Sequence, residues 1–215
     1  MRLVWEDNFR GSDSDVPRVE YDLTYGTATD DIQGSLLSIA LAAGGAYGVR
    51  GGVALTGARV PDDFELLLNS QTNTGSENYL RITWRTSDTS AATNGSDIQY
   101  GYRLESVPLF GTLKLERMDN YSATSLASPG YTFTNGARHW IRIRAERDRI
   151  QVKVWDNGSA EPGAWQIDVT DGTYDNGDRL IIALLNGWTG DAVSRTIGGL
   201  SVWDLGATPR RARLR

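Results

Sequence analysis

Cysteine is absent from this chain of 215 residues, lysine occurs twice and histidine once. Without cysteine there is no disulfide and no thiolate metal site. A lone histidine, His139, excludes a multi-histidine metal cluster and any pair of cooperating histidines. No window approaches the roughly 18 consecutive apolar residues of a membrane-spanning helix, so membrane insertion is not expected. The opening residues, MRLVWEDNF, lack an apolar leader core, so no secretory signal is expected if Met1 is the native start. Nor does any stretch longer than about ten residues keep a convincing helical period.

Net charge is −5, yet the last six residues hold four arginines, which leaves residues 1–209 at −9. So acidic a body is a poor ligand for nucleic acid, whose phosphates require clustered cations. Only Lys114 and Lys153 stand against twenty arginines. That bias fits a GC-rich coding genome and points to an actinobacterium or its phage. A chain of this length buries roughly 70% of its unfolded surface and fits one large β-sandwich.

What is present is strand and turn. Gly44-Gly45, Asn94-Gly95, Pro129-Gly130, Asn157-Gly158 and Asn176-Gly177 are among many turn signals. Between them strand character is read at 35–41, 47–55, 63–69, 78–86, 97–106, 111–117, 139–146, 149–155, 179–186 and 197–205. Leu3-Val4-Trp5 and Leu200-Ser201-Val202-Trp203 are expected to pair as terminal strands. Short strands at regular spacing predict an all-β sandwich of two antiparallel sheets. The expected organisation is a sandwich over 1–206 and a basic tail over 207–215.

The richest stretch runs from Ala137 to Trp165. Ile141, Ile143 and Ala145 alternate with Arg142, Arg144 and Glu146. The chain then turns at Arg147-Asp148 and alternates again through Ile150, Val152 and Val154. This is a half-buried antiparallel hairpin. Its continuation, Trp155-Asp156-Asn157-Gly158 with Glu161-Pro162 and Trp165, resembles a hairpin of laminin G-like, concanavalin A-type jelly rolls from bacteria and phages. Glu6-Asp7-Asn8-Phe9, Tyr47–Ala54, Phe64-Glu65-Leu66 and Tyr100–Leu104 fit the same pattern, which spans residues 4–206.

The resemblance implies a carbohydrate-facing or adhesive sandwich, and it raises hydrolysis and calcium. Laminarinase-like enzymes of this fold look like they align their carboxylates on one strand as E-x-D-x-x-E. No such motif occurs here, although carboxylates of separate strands could still converge. His139 has no nucleophile motif beside it and reads as a hydrogen-bonded surface residue. The resemblance implies a structural calcium near Glu6 and Asp7 with Asp204 as partner, but only two or three ligands can be named for an ion that takes six to eight. Asp168, Asp171, Asp175 and Asp178 lack calcium-loop spacing and read as turn residues.

Sugars are held by aromatic faces and planar polar groups. Leu80, Ile82 and Trp84 share one face of their strand, with Tyr79, Arg81, Thr83 and Arg85 on the other. Ile98, Tyr100, Tyr102 and Leu104 are expected to face inward, with Gln99, Arg103 and Glu105 outward. Arg81, Arg85, Gln99, Arg103 and Glu105 are therefore candidates for a polar stripe on one sheet, extended by Lys114 and Glu116. The alternative is that they are cross-strand pairs serving solubility. Trp188, between Asn186-Gly187 and Gly190-Asp191, is the loop aromatic candidate, with Asn186 and Asp191 beside it. Trp5, Trp84, Trp140 and Trp203 are expected in the core. The function expected is a non-catalytic phage virion protein of minor tail or decoration type, acting in glycan adhesion or particle structure. Alternatives are a bacterial carbohydrate-binding module, which would be extracellular, or a glycan-processing enzyme. Partners would be a surface glycan, other virion proteins or further copies of the chain. No cofactor is required beyond the possible calcium.

Overall fold

In a computed structural model the described residues form fifteen strands. The described residues are 1–7, 21–23, 28–33, 36–41, 50–55, 60–74, 78–86, 98–107, 110–134, 136–177, 179–186 and 193–206. The strands are β1 (Arg2–Asp7), β2 (Tyr21–Leu23), β3 (Ala28–Gln33), β4 (Leu36–Leu41), β5 (Arg50–Leu55), β6 (Phe64–Thr74), β7 (Asn78–Thr86) and β8 (Tyr100–Val107). They continue as β9 (Thr112–Asp119), β10 (Ser122–Ala127), β11 (Arg138–Glu146), β12 (Arg149–Asp156), β13 (Ile167–Thr170), β14 (Arg179–Asn186) and β15 (Val193–Asp204).

An eight-stranded sheet runs β13-β12-β11-β6-β15-β4-β3, and a seven-stranded sheet runs β10-β9-β8-β7-β14-β5-β2. Every pairing is antiparallel. β15 serves two partners on one edge: β4 along Val193–Ile197 and β1 along Leu200–Asp204. The two ends of the described chain therefore meet, as the terminal strand pattern predicts.

Alternation explains the layers. Phe64, Leu66 and Leu68 from β6 meet Ile141, Ile143, Ile150, Val152, Leu200 and Val202 within the eight-stranded sheet. Leu80, Ile82, Trp84, Tyr102, Leu104, Leu113, Leu115, Leu180 and Ile182 supply the facing layer. Removing this apolar area from water, about 25 cal/mol per Å², holds the sheets together.

Five expectations are corrected, three of them by parity. Along β11 the burial alternates so that His139 joins Ile141 inside and Trp140 joins Arg142 outside. His139 is 2% exposed, packed edge-on against Tyr131 and Phe133. Its Nδ1 lies 3.1 Å from Asp156 Oδ1, so it is a core residue rather than a surface one. Trp140 and Trp203 are half-buried on the outer face, not core, because their strand neighbours Ile141 and Val202 take the inner one. Ile98 packs with Met118 and Ile181, which lie on the outside of the seven-stranded sheet, and not with the main core. Tyr100 remains 44% exposed at the mouth of the sandwich.

Candidate functional site

The predicted stripe is real over its central part. On the outer face of the seven-stranded sheet, Thr83, Arg103 and Glu116 are consecutive cross-strand partners on β7, β8 and β9, and so are Arg81, Glu105 and Lys114 one row away. Adjacent rows of opposite charge on a sheet face attract. The pairs have formed: Arg81 Nε donates to Glu105, and Arg103 Nε donates to Glu116 Oε2 at 2.8 Å. Lys114 Nζ holds the other Glu116 oxygen.

Burial makes these pairs consequential. The Glu116 side chain is 1% exposed and that of Arg103 7%, whereas Lys114 reaches 38%. Burial pushes the Glu116 carboxyl up, but hydrogen bonds from Lys114 and Arg103 and their charges more than offset it. The carboxyl is held below its usual range. Glu105 and Glu116 stand diagonally on neighbouring strands, with Cβ atoms about 7 Å apart by sheet geometry. That spacing could suit glycoside hydrolysis. Of the two, Glu116 is held ionised, which suits a base or nucleophile and not a general acid.

Other candidate positions separate from this group. Arg85 leaves the stripe. It sits at a β-bulge, where β14 passes from Arg179↔Thr86 to Leu180↔Trp84, with φ 50°. An extra residue reverses the alternation, and the Arg85 side chain turns to Asp62 O at 2.9 Å, Tyr174 O at 3.2 Å and Asp63 at 3.4 Å. The packing there demands glycine at 177 (φ 142°), since a Cβ would come within 2.3 Å of the Arg85 backbone. Gln99 lies beyond the start of β8 and donates to Asn120 Oδ1 at 3.2 Å. Asn186 pairs with Asn78, at the other end of β7 from Trp84↔Tyr102, about 20 Å away. The candidates thus span the sheet's length rather than one pocket. Trp188 and Asp191 lie outside the described residues, as does the tail at 207–215.

The residues expected near a calcium lie along one strand edge: Glu6 pairs with Ser201 and Asp7 with Leu200, while Asp204 pairs with Arg2, three to four residues along β15. At 3.3 Å per residue that is about 10 Å or more between backbone positions. Asp204 instead accepts from Gly206 N at 2.7 Å and pairs with Arg2 at 3.6 Å. Among the described residues no group of three His, Cys, Asp or Glu is placed to hold a metal. Asp171, from the acidic loop, accepts from Tyr102 Oη at 2.9 Å and Arg117 Nη1 at 2.7 Å.

Two aromatic features escaped the sequence reading. On the outer face of the eight-stranded sheet, Trp140 and Trp155 are cross-strand partners with centroids 6.3 Å apart and planes at 18°. Lys153 stands 4.4 Å over the Trp165 ring. The strict alternation of the hairpin carried this signal. The second feature is a corner of tyrosines at 100, 121 and 174, for which the sequence held no periodic signal.

No protein-family model matches the sequence, and no curated protein does. Solved structures do match. A Ca2+/Man2-bound form of the VIP36 exoplasmic/lumenal domain superposes with a TM-score of 0.68 at 14% identity, covering 97% of this chain and 90% of that one. The CBM66 carbohydrate binding module of Bacillus subtilis gives 0.58 at 16% identity, covering 82% and 91%. SCLam, a non-specific endo-β-1,3(4)-glucanase of family GH16, gives 0.66 at 13%, covering 94% and 91%. The fold is therefore the concanavalin A-like jelly roll expected from the hairpin.

Proposed function

We propose that this chain is a non-catalytic glycan-binding jelly roll, serving as a minor tail or decoration protein of a phage virion. The observation that carries the binding reading is the ladder Arg81–Glu105 and Arg103–Glu116–Lys114. Arg103, Glu105 and Glu116 are too buried to meet sugar hydroxyls themselves; they fix Arg81 and Lys114, whose more exposed polar ends then lose little freedom on binding. Lys114, the most exposed of the five, is the point of first contact. The likeness to a lectin-type domain and a carbohydrate-binding module supports this reading. The glucanase likeness supports the enzyme alternative. Against catalysis stands the absence of an aligned E-x-D-x-x-E strand motif.

The virion assignment rests on the arginine-rich coding and on the laminin G-like hairpin. The second reading, an extracellular bacterial carbohydrate-binding module, is favoured by how fully the chain and the Bacillus module cover each other. Flanking genes separate the two: tail genes support the first, hydrolase genes the second. Calcium is not needed on this reading, so dialysis against EDTA should leave both binding and melting temperature unchanged. The decisive test incubates the purified chain with a panel of bacterial cell-wall polysaccharides and assays reducing-end release in the same wells. Binding without release is expected. Release of reducing ends would replace the binder with an enzyme, and neither signal would leave a role in particle structure.

A further inference from the structure

The hairpin joining β9 to β10 turns on two residues, Asn120 and Tyr121, with Asp119 and Ser122 as the closing pair. Both turn residues adopt left-handed backbone, φ 49° and 64°. Turns of this sign favour Asn followed by Gly, because Gly alone has no Cβ to clash. Asparagine is present at the first position. At the second stands tyrosine, among the least suitable residues for it. Packing does not explain the choice, since Tyr121 is 50% exposed. Backbone strain that core packing does not explain is a mark of function.

The surroundings of Tyr121 say what that function is. Its backbone N donates to Gln99 O at 3.2 Å, which places it beside Tyr100, itself 44% exposed. Tyr100 leans on Tyr174, with centroids 6.1 Å apart. Tyr174 Oη donates to Asp119 Oδ1 at 2.6 Å, and Arg117 Nε binds Asp119 Oδ2 at 2.8 Å. Gln99 and Asn120 join their amides across the corner. Tyr100 therefore stands exposed beside Tyr174, and the exposed Tyr121 follows Asn120, whose amide is tied to Gln99. An amphipathic ring surface with fixed polar groups at its rim suits a ligand that has both C–H faces and hydroxyl edges.

We infer that the corner formed by Tyr100, Tyr121, Gln99 and Asn120 is a sugar-ring contact site, with tyrosine at 121 retained at the expense of turn stability. The site lies at the end of the sandwich, past the Arg103–Glu116 ladder on the same strands, β8 and β9. It rests on the glycan-binding reading and gives it a location the ladder alone does not provide. The ligand class is a neutral pyranose chain rather than an acidic one, because Arg117 is shared between Asp119 and Asp171 and leaves the corner with an excess of carboxylate.

Strain and binding make opposite predictions for one substitution. Y121G relieves the backbone and removes the ring, so its melting temperature should hold or rise by up to about 4 °C. Its affinity for the polysaccharide captured by the unaltered chain should fall about tenfold or more. Y121F keeps the ring and should stay within about threefold of the unaltered chain. Y100A should weaken binding like Y121G, and W140A, on the opposite sheet, should not. Y121N, which tolerates the same backbone, repeats the test if the glycine variant folds poorly. No capture by the unaltered chain overturns the glycan reading and this site with it. Capture retained in full by Y121G or Y121N overturns this site alone.

Discussion

The two outer faces of the sandwich answer the same problem differently. On the seven-stranded sheet the exposed side of β7, β8 and β9 carries charges that neutralise one another, and Arg103 and Glu116 end up almost wholly buried. On the eight-stranded sheet the outer side of β11 and β12 carries paired indoles and a looser network. Arg142 there meets Glu65 at 2.8 Å and Glu161 at 3.0 Å, and Lys153 also reaches Glu161. The first face is held by charges that cannot be removed singly without leaving a partner in low dielectric. The second adds ring contact to a network in which Glu65 and Lys153 are themselves buried and Glu161, at 34%, is the member that meets water. Outward-facing is therefore not the same as solvent-exposed.

The contrast is sharpest in E116A. Deleting Glu116 removes the carboxylate that Arg103 and Lys114 share and should cost about 3–5 kcal/mol in urea unfolding, whereas apolar replacement of both Glu116 and Arg103 should cost much less. A loss below about 1 kcal/mol for E116A would mean that water reaches the pair. On the opposite face, W140A should cost less, about 1–2 kcal/mol, since the half-buried ring forfeits only part of a full Trp deletion. W155A should be non-additive with it in a double-mutant cycle, because the two rings touch. Strict additivity would show that the indole contact contributes nothing.

Acid titration reads carboxylates of both sheets, since Asp168 on β13 is also lowered by hydrogen bonds from Arg149 and Gln151. Glu116 and Asp171 are pushed up by burial but held below their usual range by stronger hydrogen bonds and cations. Asp119, bonded by Tyr174 and Arg117, is also lowered. A carboxyl whose folded pKa is depressed contributes stability above its unfolded value, near 4, and loses it as pH falls through the folded one. Stability should stay level from pH 7 to about 5 and fall below about 4. E116Q should make that acid limb shallower; an unchanged slope would show that Glu116 does not titrate with unfolding. The smallest effect belongs to E161Q, under about 1 kcal/mol, because Glu161 is 34% exposed and its pairs are screened.

Much of this architecture was legible in residue order. Ten strands from 36–41 to 193–204 fall close to the alternating runs, and the terminal pairing of β1 with β15 follows from their apolar pattern. β2, Tyr21–Leu23, β3, Ala28–Gln33, β10, Ser122–Ala127, and β13, Ile167–Thr170, were not legible. All four end a sheet, and with partners on one side only they need little apolar alternation. Trp140 was legible but overridden: its place in the Arg142–Arg144 phase puts it outside, and a general preference for buried tryptophan argued the reverse. The candidate stripe was readable at Arg81, Arg103 and Glu105 for the same periodic reason.

Arg85 marks where that reasoning ends. Nothing local announces the bulge that turns it inward; Asp62, Tyr174 and Gly177, distant in sequence, create the place it fills. Likewise Glu6, Asp7 and Asp204 share a charge type, but only the β1–β15 register reveals the distance between them. The sequence by itself determined the all-β class, the two faces of each central strand and the absence of thiol or multi-histidine chemistry, because these depend on residue type and a period of two. Tertiary structure alone decided which outward charges became buried, which aromatics met at the Tyr121 corner and which carboxylates could share a ligand, because each depends on register between strands far apart in the chain.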